Sequence, residues 1–364
     1  MYFTFPRRLH VFVICAVACG VTACATYYQK HFDFNQEFEQ GHLTQALETL
    51  KKNEREGEGK TRFLYYVNKG LLLSILGKYE ESNTYFEQAF LFGEDYRINY
   101  IAEATSYFSN PNVTAYRGED HEHLMVLYFK ALNFIKMEKP EQALVECRRL
   151  NIRLNQLSDK YVSEKKLQRD AFIHTLMGII YQSSKDYNNA FIAYRNAVEV
   201  YENEYSKMFG MHVPLQLKKD LLHTAWWTGF KDEFESFKSK FEMDDFQVMQ
   251  PDADLVFFWH NGLAPVKDEW GINFVIHPGA GNAMVFTNQE LGLNFSFNVA
   301  ESKDRSDLSK LEVFRVAFPR YREREVYFNA ASVEADSATY ALELAEDISK
   351  IAFNSLQQRM LQEF

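Results

Sequence analysis

Ala171-Phe172-Ile173-His174-Thr175-Leu176-Met177-Gly178-Ile179-Ile180-Tyr181-Gln182-Ser183-Ser184-Lys185-Asp186-Tyr187-Asn188-Asn189-Ala190-Phe191-Ile192-Ala193-Tyr194-Arg195-Asn196-Ala197 is the stretch whose reading decides the fold. Gly178 and Tyr181 stand on a first helix, Tyr187 opens a second, and Ala190, Tyr194 and Ala197 follow along it. Two antiparallel helices need small residues where their backbones cross closely and rings where they can spread. This order supplies both, and it predicts a helical hairpin.

The same order returns on either side. Gly70, Gly77-Lys78-Tyr79, Phe86 and Ala89 form a second copy, with Ser82 where alanine is usual. A third has Ala131, Pro140, Ala143, Cys147 and Leu150. Degenerate copies flank these, with Phe34, Leu43, Ala46 and Leu50 at the start and Ala225, Phe234, Phe237 and Phe241 at the end. The pattern resembles the tetratricopeptide repeat, whose stacked hairpins form a concave binding surface. Generic amphipathic hairpins are the alternative and predict nearly the same shape. Cys147 falls where the repeat calls for a buried bulky side chain, so it reads as a core thiol and not as a nucleophile.

The copies are unevenly spaced. Between the second and third, Gly93 to Glu122 carries the loop signals Asn110-Pro111 and Arg117-Gly118-Glu119-Asp120. Arg148 to Gln156 has Leu150 and Leu154 near helical spacing with Leu157, which predicts a lengthened second helix for the third copy. Its arginines form either a solvated face or a patch for an acidic partner or phosphate head group.

At Gln250-Pro251-Asp252 the periodicity changes. Leu255 to Trp259 is an unbroken apolar run before Asn261-Gly262 and reads as a buried strand and a turn. Trp270 to Ile276 alternates as a second strand and ends at the turn His277 to Asn282. Leu291 to Val299 is a third strand, and Leu311 to Phe318 a fourth, stopped by Pro319. Ala341, Ala345, Ile348, Ala352, Leu356 and Met360 then lie on one stripe, which predicts a helix over 339–361. The fold class is therefore mainly α: a tetratricopeptide-like helical-hairpin array over 24–245, followed by a small strand-rich α+β domain with a C-terminal helix over 250–364.

The start of the chain gives an address. Arg7 and Arg8 precede an apolar run from Leu9 to Gly20, and Val21-Thr22-Ala23-Cys24 closes it. A branched apolar residue, a tolerated polar one, a small one and then cysteine form the pattern read by bacterial lipoprotein signal peptidase. Residues 1–23 are thus expected to be a removable signal peptide, too short and wrongly flanked for a spanning helix. Cys24 is expected to carry the lipid, with an uncleaved anchor as the alternative. Ala25-Thr26 follow, with no Asp at the second position, so the expected place is the periplasmic face of an outer membrane, or else the cell surface. Cys15 and Cys19 leave with the signal peptide, so Cys147 stays alone and no intramolecular disulfide or cysteine-based zinc set can form.

Asn261 to Glu269, Arg315 to Tyr321, and Arg148 to Tyr161 with Asn151, Leu154 and Asn155 together resemble an uncharacterised family of bacterial tetratricopeptide-type outer-membrane lipoproteins, similar to its Bacteroidetes members. The likeness covers nearly the whole mature chain. It implies a helical repeat array followed by a small strand-rich domain on a periplasmic lipoprotein, and it brings no catalytic residues. Related genes near activators of penicillin-binding proteins point toward envelope assembly. Members often continue past the equivalent of Phe364, which predicts a shortened chain.

Composition narrows the function classes. Hydrophobic residues make up 46% and charged residues 25%, as in an ordinary globular protein. Aromatics reach 16%, so ring-rich cores are expected. A formal net charge of -10 with no basic stripe argues against a nucleic-acid partner. His277 to Gly281 is glycine-rich, but it joins two strands and lacks the helix N-terminus a phosphate cradle needs. Asp120-His121-Glu122-His123 offers only two imidazoles and reads as a solvated loop, not a zinc site. No His-Glu-x-x-His and no Gly-x-Ser-x-Gly occurs. Lys267, Asp268 and Glu269 read as solvated charges at a strand entrance. No catalytic residue, metal ligand or cofactor is expected.

Two functions of different class follow. In the first the protein is a membrane-tethered periplasmic scaffold that holds an envelope protein or peptide in its repeat groove. In the alternative the C-terminal domain is a peptidoglycan- or glycan-related enzyme or binding module presented by the repeats, with a cleft around Asn261 to Glu269 and Arg320 to Arg324. The groove of such an array is lined by the first helix of each pair. Tyr66, Asn68 and Lys69, Tyr128 and Lys130, and His174 and Thr175 are the expected contacts. Rings give contact area at small entropic cost while the hydroxyl stays hydrogen-bonded. Tyr66 and Tyr128 packing between repeats is the competing reading.

Overall fold

The computed structural model describes residues 31–94, 115–159, 167–249, 255–279, 283–290, 292–298, 313–326, 328–335 and 338–363. Cys24 with the expected signal peptide, and Asn110-Pro111, lie outside the described residues. The chain divides into two compact units, Met1–Gly118 and Glu119–Phe364.

Among its described residues the first unit holds two helical hairpins. Helices α1 (Phe32–Glu39) and α2 (Leu43–Lys52) form one, and α3 (Arg62–Ile75) and α4 (Tyr79–Glu94) the other, with a turn of 3-10 helix at Glu54–Glu58. Phe34, Ala46, Leu47, Leu50, Tyr65, Leu72 and Leu73 make its core. The second unit opens with three hairpins: α5 (Asp120–Lys136) with α6 (Pro140–Ser158), α7 (Ala171–Ser183) with α8 (Tyr187–Val200), and α9 (Leu215–Trp227) with α10 (Lys231–Lys240). The Arg148 to Gln156 stretch does lengthen α6, although Arg153 is buried and not part of a solvated face.

All five hairpins turn in the same way. Gly41, Gly77, Glu138, Lys185 and Gly229 stand at the same place in their turns, each in the left-handed region with φ of 78°, 75°, 58°, 59° and 81°. Glycine adopts that conformation without strain, whereas Glu138 and Lys185 each carry a Cβ against the following carbonyl. The crossings repeat as well. A Cβ on Gly70 would lie 2.7 Å from the Phe86 ring, and one on Gly178 only 2.3 Å from the Tyr194 ring. The glycines are there because rings lie flat against their backbone. Ser82 replaces alanine because its hydroxyl donates to the Gly70 carbonyl across the crossing, at 2.6 Å.

Past α8 the helix widens into a π turn over Tyr201–Tyr205 and ends in a short α-helical turn, Ser206–Phe209. The wider turn stacks Tyr201, Tyr205 and Phe209 edge to face, with centroids 5.3 and 5.2 Å apart. π turns cluster at functional sites.

The remaining chain forms a four-stranded antiparallel sheet in the order β3-β2-β1-β4, with β1 Val266–Pro278, β2 Ala283–Asn288, β3 Leu293–Asn298 and β4 Val313–Arg322. A separate hairpin pairs β5 (Ser332–Ala335) with β6 (Ala338–Ala341), and α11 (Ile348–Glu363) closes the described chain. Helix α11 packs between β4 and α5, where Tyr321, Phe353, Ala352 and Leu356 meet. The fold is thus mainly α, helical hairpins of tetratricopeptide type followed by a small α+β region. No helix of the described residues is long and apolar enough to cross a membrane.

Four readings of the sequence are corrected here. Leu255 to Trp259 is extended but pairs with no strand, and Leu255 is 80% exposed. Strand β4 runs through Pro319 to Arg322, because it is an edge strand and a missing N–H there breaks no inner ladder. The predicted helix over 339–361 begins only at Ile348, and Leu342 to Asp347 is extended. Asp120 to His123 is the buried first turn of α5, not a solvated loop: the Glu122 carboxylate accepts from the Glu119 N–H, and His121 stacks edge-on against Tyr321 at 5.5 Å.

Candidate interaction surface

The first helix of each hairpin in the second unit holds a piece of extended chain. On α5, the Tyr128 hydroxyl and His260 Nε2 are hydrogen-bonded at 2.8 Å, with Phe129 also against the imidazole. On α7, Phe172 stacks edge-on against Phe258 and tilts against Tyr128. On α9, His223 lies flat on Trp227 and accepts the Met249 N–H at 3.3 Å. Two of these contacts join side chain to side chain, and the third satisfies a backbone donor, the Met249 N–H.

A second extended piece, Leu342 to Asp347, lies across the end of α8 and the start of α9. The N-terminal amides of α9 have no partner within the helix, and the Glu343 carboxylate accepts from two of them, Leu215 and Gln216, at 3.0 Å each. The Tyr201 hydroxyl donates to the Ala345 carbonyl, and the Tyr205 hydroxyl donates to Glu346 Oε2 at 2.8 Å. Lys350 Nζ donates to the Phe209 carbonyl at 2.8 Å. The π turn is what brings both tyrosine hydroxyls to one segment.

Beneath this contact two acids share a dry site. Asp170 caps α7 by accepting the Ile173 N–H at 2.8 Å, and the Glu346 carboxyl lies close to it. Burial pushes Asp170 up to about 6, and burial with the neighbouring Asp170 charge pushes Glu346 well above its usual value. Burial likewise raises Tyr201 and Tyr205, which therefore stay as hydroxyl donors. Burial pushes the Cys147 thiol up to about 12, which keeps it inert.

The expected contact residues fall in both units. In the first, Tyr66 is half-buried, donates to the Gly57 carbonyl at 2.7 Å and packs on Tyr65 and Tyr85. Asn68 is half-buried. Lys69 is buried: its ammonium donates to the Tyr65 hydroxyl at 3.0 Å, lies 4.5 Å above the Tyr85 ring and meets Glu54 at 3.5 Å. In the second unit Tyr128 is buried against His260, and Lys130, 3% exposed, pairs with buried Glu146 at 3.0 Å. A buried charge so paired is committed to the interior. His174 is half-buried, and burial with the nearby Arg169 charge pushes it down to about 4. The Thr175 hydroxyl donates back to the Ala171 carbonyl at 3.0 Å. Tyr66, Lys69, Tyr128, Lys130 and Thr175 thus have internal partners, and Tyr128 is the one of these that meets chain from beyond the repeats among the described residues.

The sequence reading did not single out Asp170, Phe172, Tyr201, Tyr205, His260, Glu343 or Glu346. Asp170 had a signal, an acid directly before the α7 stripe where an N-cap belongs. Tyr201 and Tyr205, four residues apart, share a helix face. Glu343 and Glu346 had none.

Comparison with known proteins agrees with this architecture. A model of the tetratricopeptide repeat matches residues 64–91 and 173–204, the α3/α4 and α7/α8 hairpins. No curated protein is significantly similar to the chain. Among solved structures, the apo form of RapI is 15% identical over 66% of this chain and 60% of its own, with a TM-score of 0.42. The chain thus spans about 60% of RapI. MamA 41-end from Desulfovibrio magneticus RS-1 is 16% identical over 58% of this chain and 89% of its own, with a TM-score of 0.35. BtubC from P. vanneervenii is 14% identical over 70% and 92%, with a TM-score of 0.34. At these values the likeness is one of fold alone.

Proposed function

We propose that the protein is a periplasmic lipoprotein, tethered to the outer membrane through an acylated Cys24, that acts as a protein-protein interaction scaffold of the cell envelope. One observation carries the reading: the first helices α5, α7 and α9 each hold extended chain through rings and hydrogen-bonding side chains. A surface that holds its own extended segments this way has the chemistry to hold a partner's. Tyr66, Asn68, His174 and Thr175 are the contacts we place at the first-helix faces, with Lys69, Tyr128 and Lys130 fixing those faces from within.

The sheet favours the scaffold over an enzyme. Strand register sets Asp268 opposite Arg320 and Lys267 opposite Tyr321 in an ordinary antiparallel ladder. Two experiments test the reading. Cys24→Ser should leave an unprocessed precursor that takes up no labelled fatty acid, and labelling equal to wild type would remove the tether. Photo-crosslinking from the His174 and Asn68 positions in intact envelopes should trap a discrete envelope protein, and a clean blank from both positions would remove the scaffold.

A further inference from the structure

The contact made by residues 342–347 has the form of bound peptide. It reads a carboxylate at Glu343 through two backbone amides, a main-chain carbonyl at Ala345 through a tyrosine, and a second carboxylate at Glu346 through another tyrosine. Leu344 between them is 62% exposed, and Glu343 itself is exposed. No apolar side chain of Glu343 to Glu346 is fully buried. Polar contacts hold this segment, and such contacts exchange readily with those of another chain of equal chemistry. The receptor groups are fixed by rigid elements: the start of α9, and two tyrosines that are fully buried.

We propose that the face made by the α9 N-terminus, Tyr201 and Tyr205 is a receptor for an extended acidic peptide with Glu-x-x-Glu spacing, and that residues 342–347 occupy it as an intramolecular competitor. The inference rests on the scaffold reading and names the partner's chemistry. The partner supplies two carboxylates three residues apart in extended chain and displaces the resident segment.

The test uses the full chain and a fluorescent peptide of residues 340–349. Glu343→Ala removes an exposed side chain and should leave the melting temperature near that of wild type. It should bind the peptide about tenfold more tightly than wild type, and a peptide with Gln at the Glu343 position should lose most of that gain. Hydrogen exchange at the Leu215 and Gln216 amides should quicken in Glu343→Ala and slow again with peptide. Equal binding by wild type and variant, or none by a variant that melts normally, would overturn the receptor face. If Glu343→Ala melts early, wild type serves: excess peptide should speed exchange over 343–347, and unchanged exchange would overturn the proposal. Crosslinking that traps an envelope protein while the peptide binds nothing would overturn this inference and leave the scaffold intact. Peptide binding with no trapped protein would support the receptor face and count against the scaffold.

Discussion

The α3/α4 hairpin of the first unit and the α7/α8 hairpin of the second close their crossings alike and their faces differently. Both lay a ring on a glycine, Phe86 on Gly70 and Tyr194 on Gly178. Lys69 on α3 finds its partners nearby, in Tyr65, Tyr85 and Glu54. Phe172 on α7, and Tyr201 and Tyr205 beyond α8, find theirs far along the chain, at Phe258, Ala345 and Glu346. A repeat's fold is thus a local property, while what covers its face is not.

The strongest test of the shared crossing is overpacking. Ala190 is fully buried in α8, so Ala190→Leu should cost about 2–3 kcal/mol. Ser82→Leu at the equivalent place in α4 should cost at least as much, since it also removes the hydrogen bond to Gly70. Thermal melts that leave either variant at the wild-type temperature would mean the two crossings are not equivalent.

Acidity should act on the second unit through two opposed groups. His174 stays neutral in the fold down to about 4, while the unfolded imidazole takes its proton near 6.5. The unfolded state therefore binds more protons between those values, and stability falls by about 1–3 kcal/mol as pH drops through that window. The Asp170–Glu346 pair acts the other way. Its raised values give stability that is complete below the ordinary Asp value of 3.8 and is lost as pH rises through about 6 and beyond. The titrating neighbours of the pair are Tyr128, Tyr201, Tyr205 and Cys147. Denaturant melts across pH 4 to 8 should show His174→Gln losing the acid fall and Glu346→Gln losing the alkaline one. Parallel profiles for wild type and both variants would contradict these assignments.

A smaller effect separates near closure from far closure. Tyr205→Phe takes from the Glu346 carboxyl one of its two donors, the Asp347 N–H remaining, and should cost about 1–2 kcal/mol, with faster hydrogen exchange at Asp347. Tyr66→Phe, which loses only a bond to a loop carbonyl, should cost about 0.5–1 kcal/mol and leave the second unit's exchange unchanged. The smallest effect is a gain: Lys185→Gly should relieve the left-handed turn and add about 0.5–1 kcal/mol, whereas Gly77→Lys in the matching turn should lose a similar amount.

The hairpins were legible because their signal is local. Gly70, Gly178, Ala190 and Cys147 occupy the interior as their spacing demands. The turns at Glu138 and Lys185 were less so, since neither residue advertises a left-handed backbone. In the last third the sequence misled for a physical reason. Tyr340 to Glu346 is built of good helix formers, and local propensity continues the helical stripe of Ile348 to Met360 backwards through it. Tertiary contacts win instead: two amides of α9 and two tyrosines hold the segment extended. Leu255 to Trp259 misled likewise, because an apolar run reads as a buried strand whether or not a neighbour exists to pair with it. The interaction surface was half visible. Tyr128 was within reach of a pattern argument, but the segments it and its neighbours hold were not, because no spacing rule links residues so far apart.

The distance between Tyr205 and Glu346 also sets a clock. A chain made from its N-terminus at about 5–20 residues per second takes roughly 7–30 s to add the intervening stretch of 141 positions. Through that interval the α7/α8 hairpin can already be folded while its tyrosines face solvent uncovered. The nascent chain thus passes through a stage in which this aromatic surface is finished before its cover exists. Chaperone binding during synthesis should concentrate there and end only once the segment around Glu346 has been added.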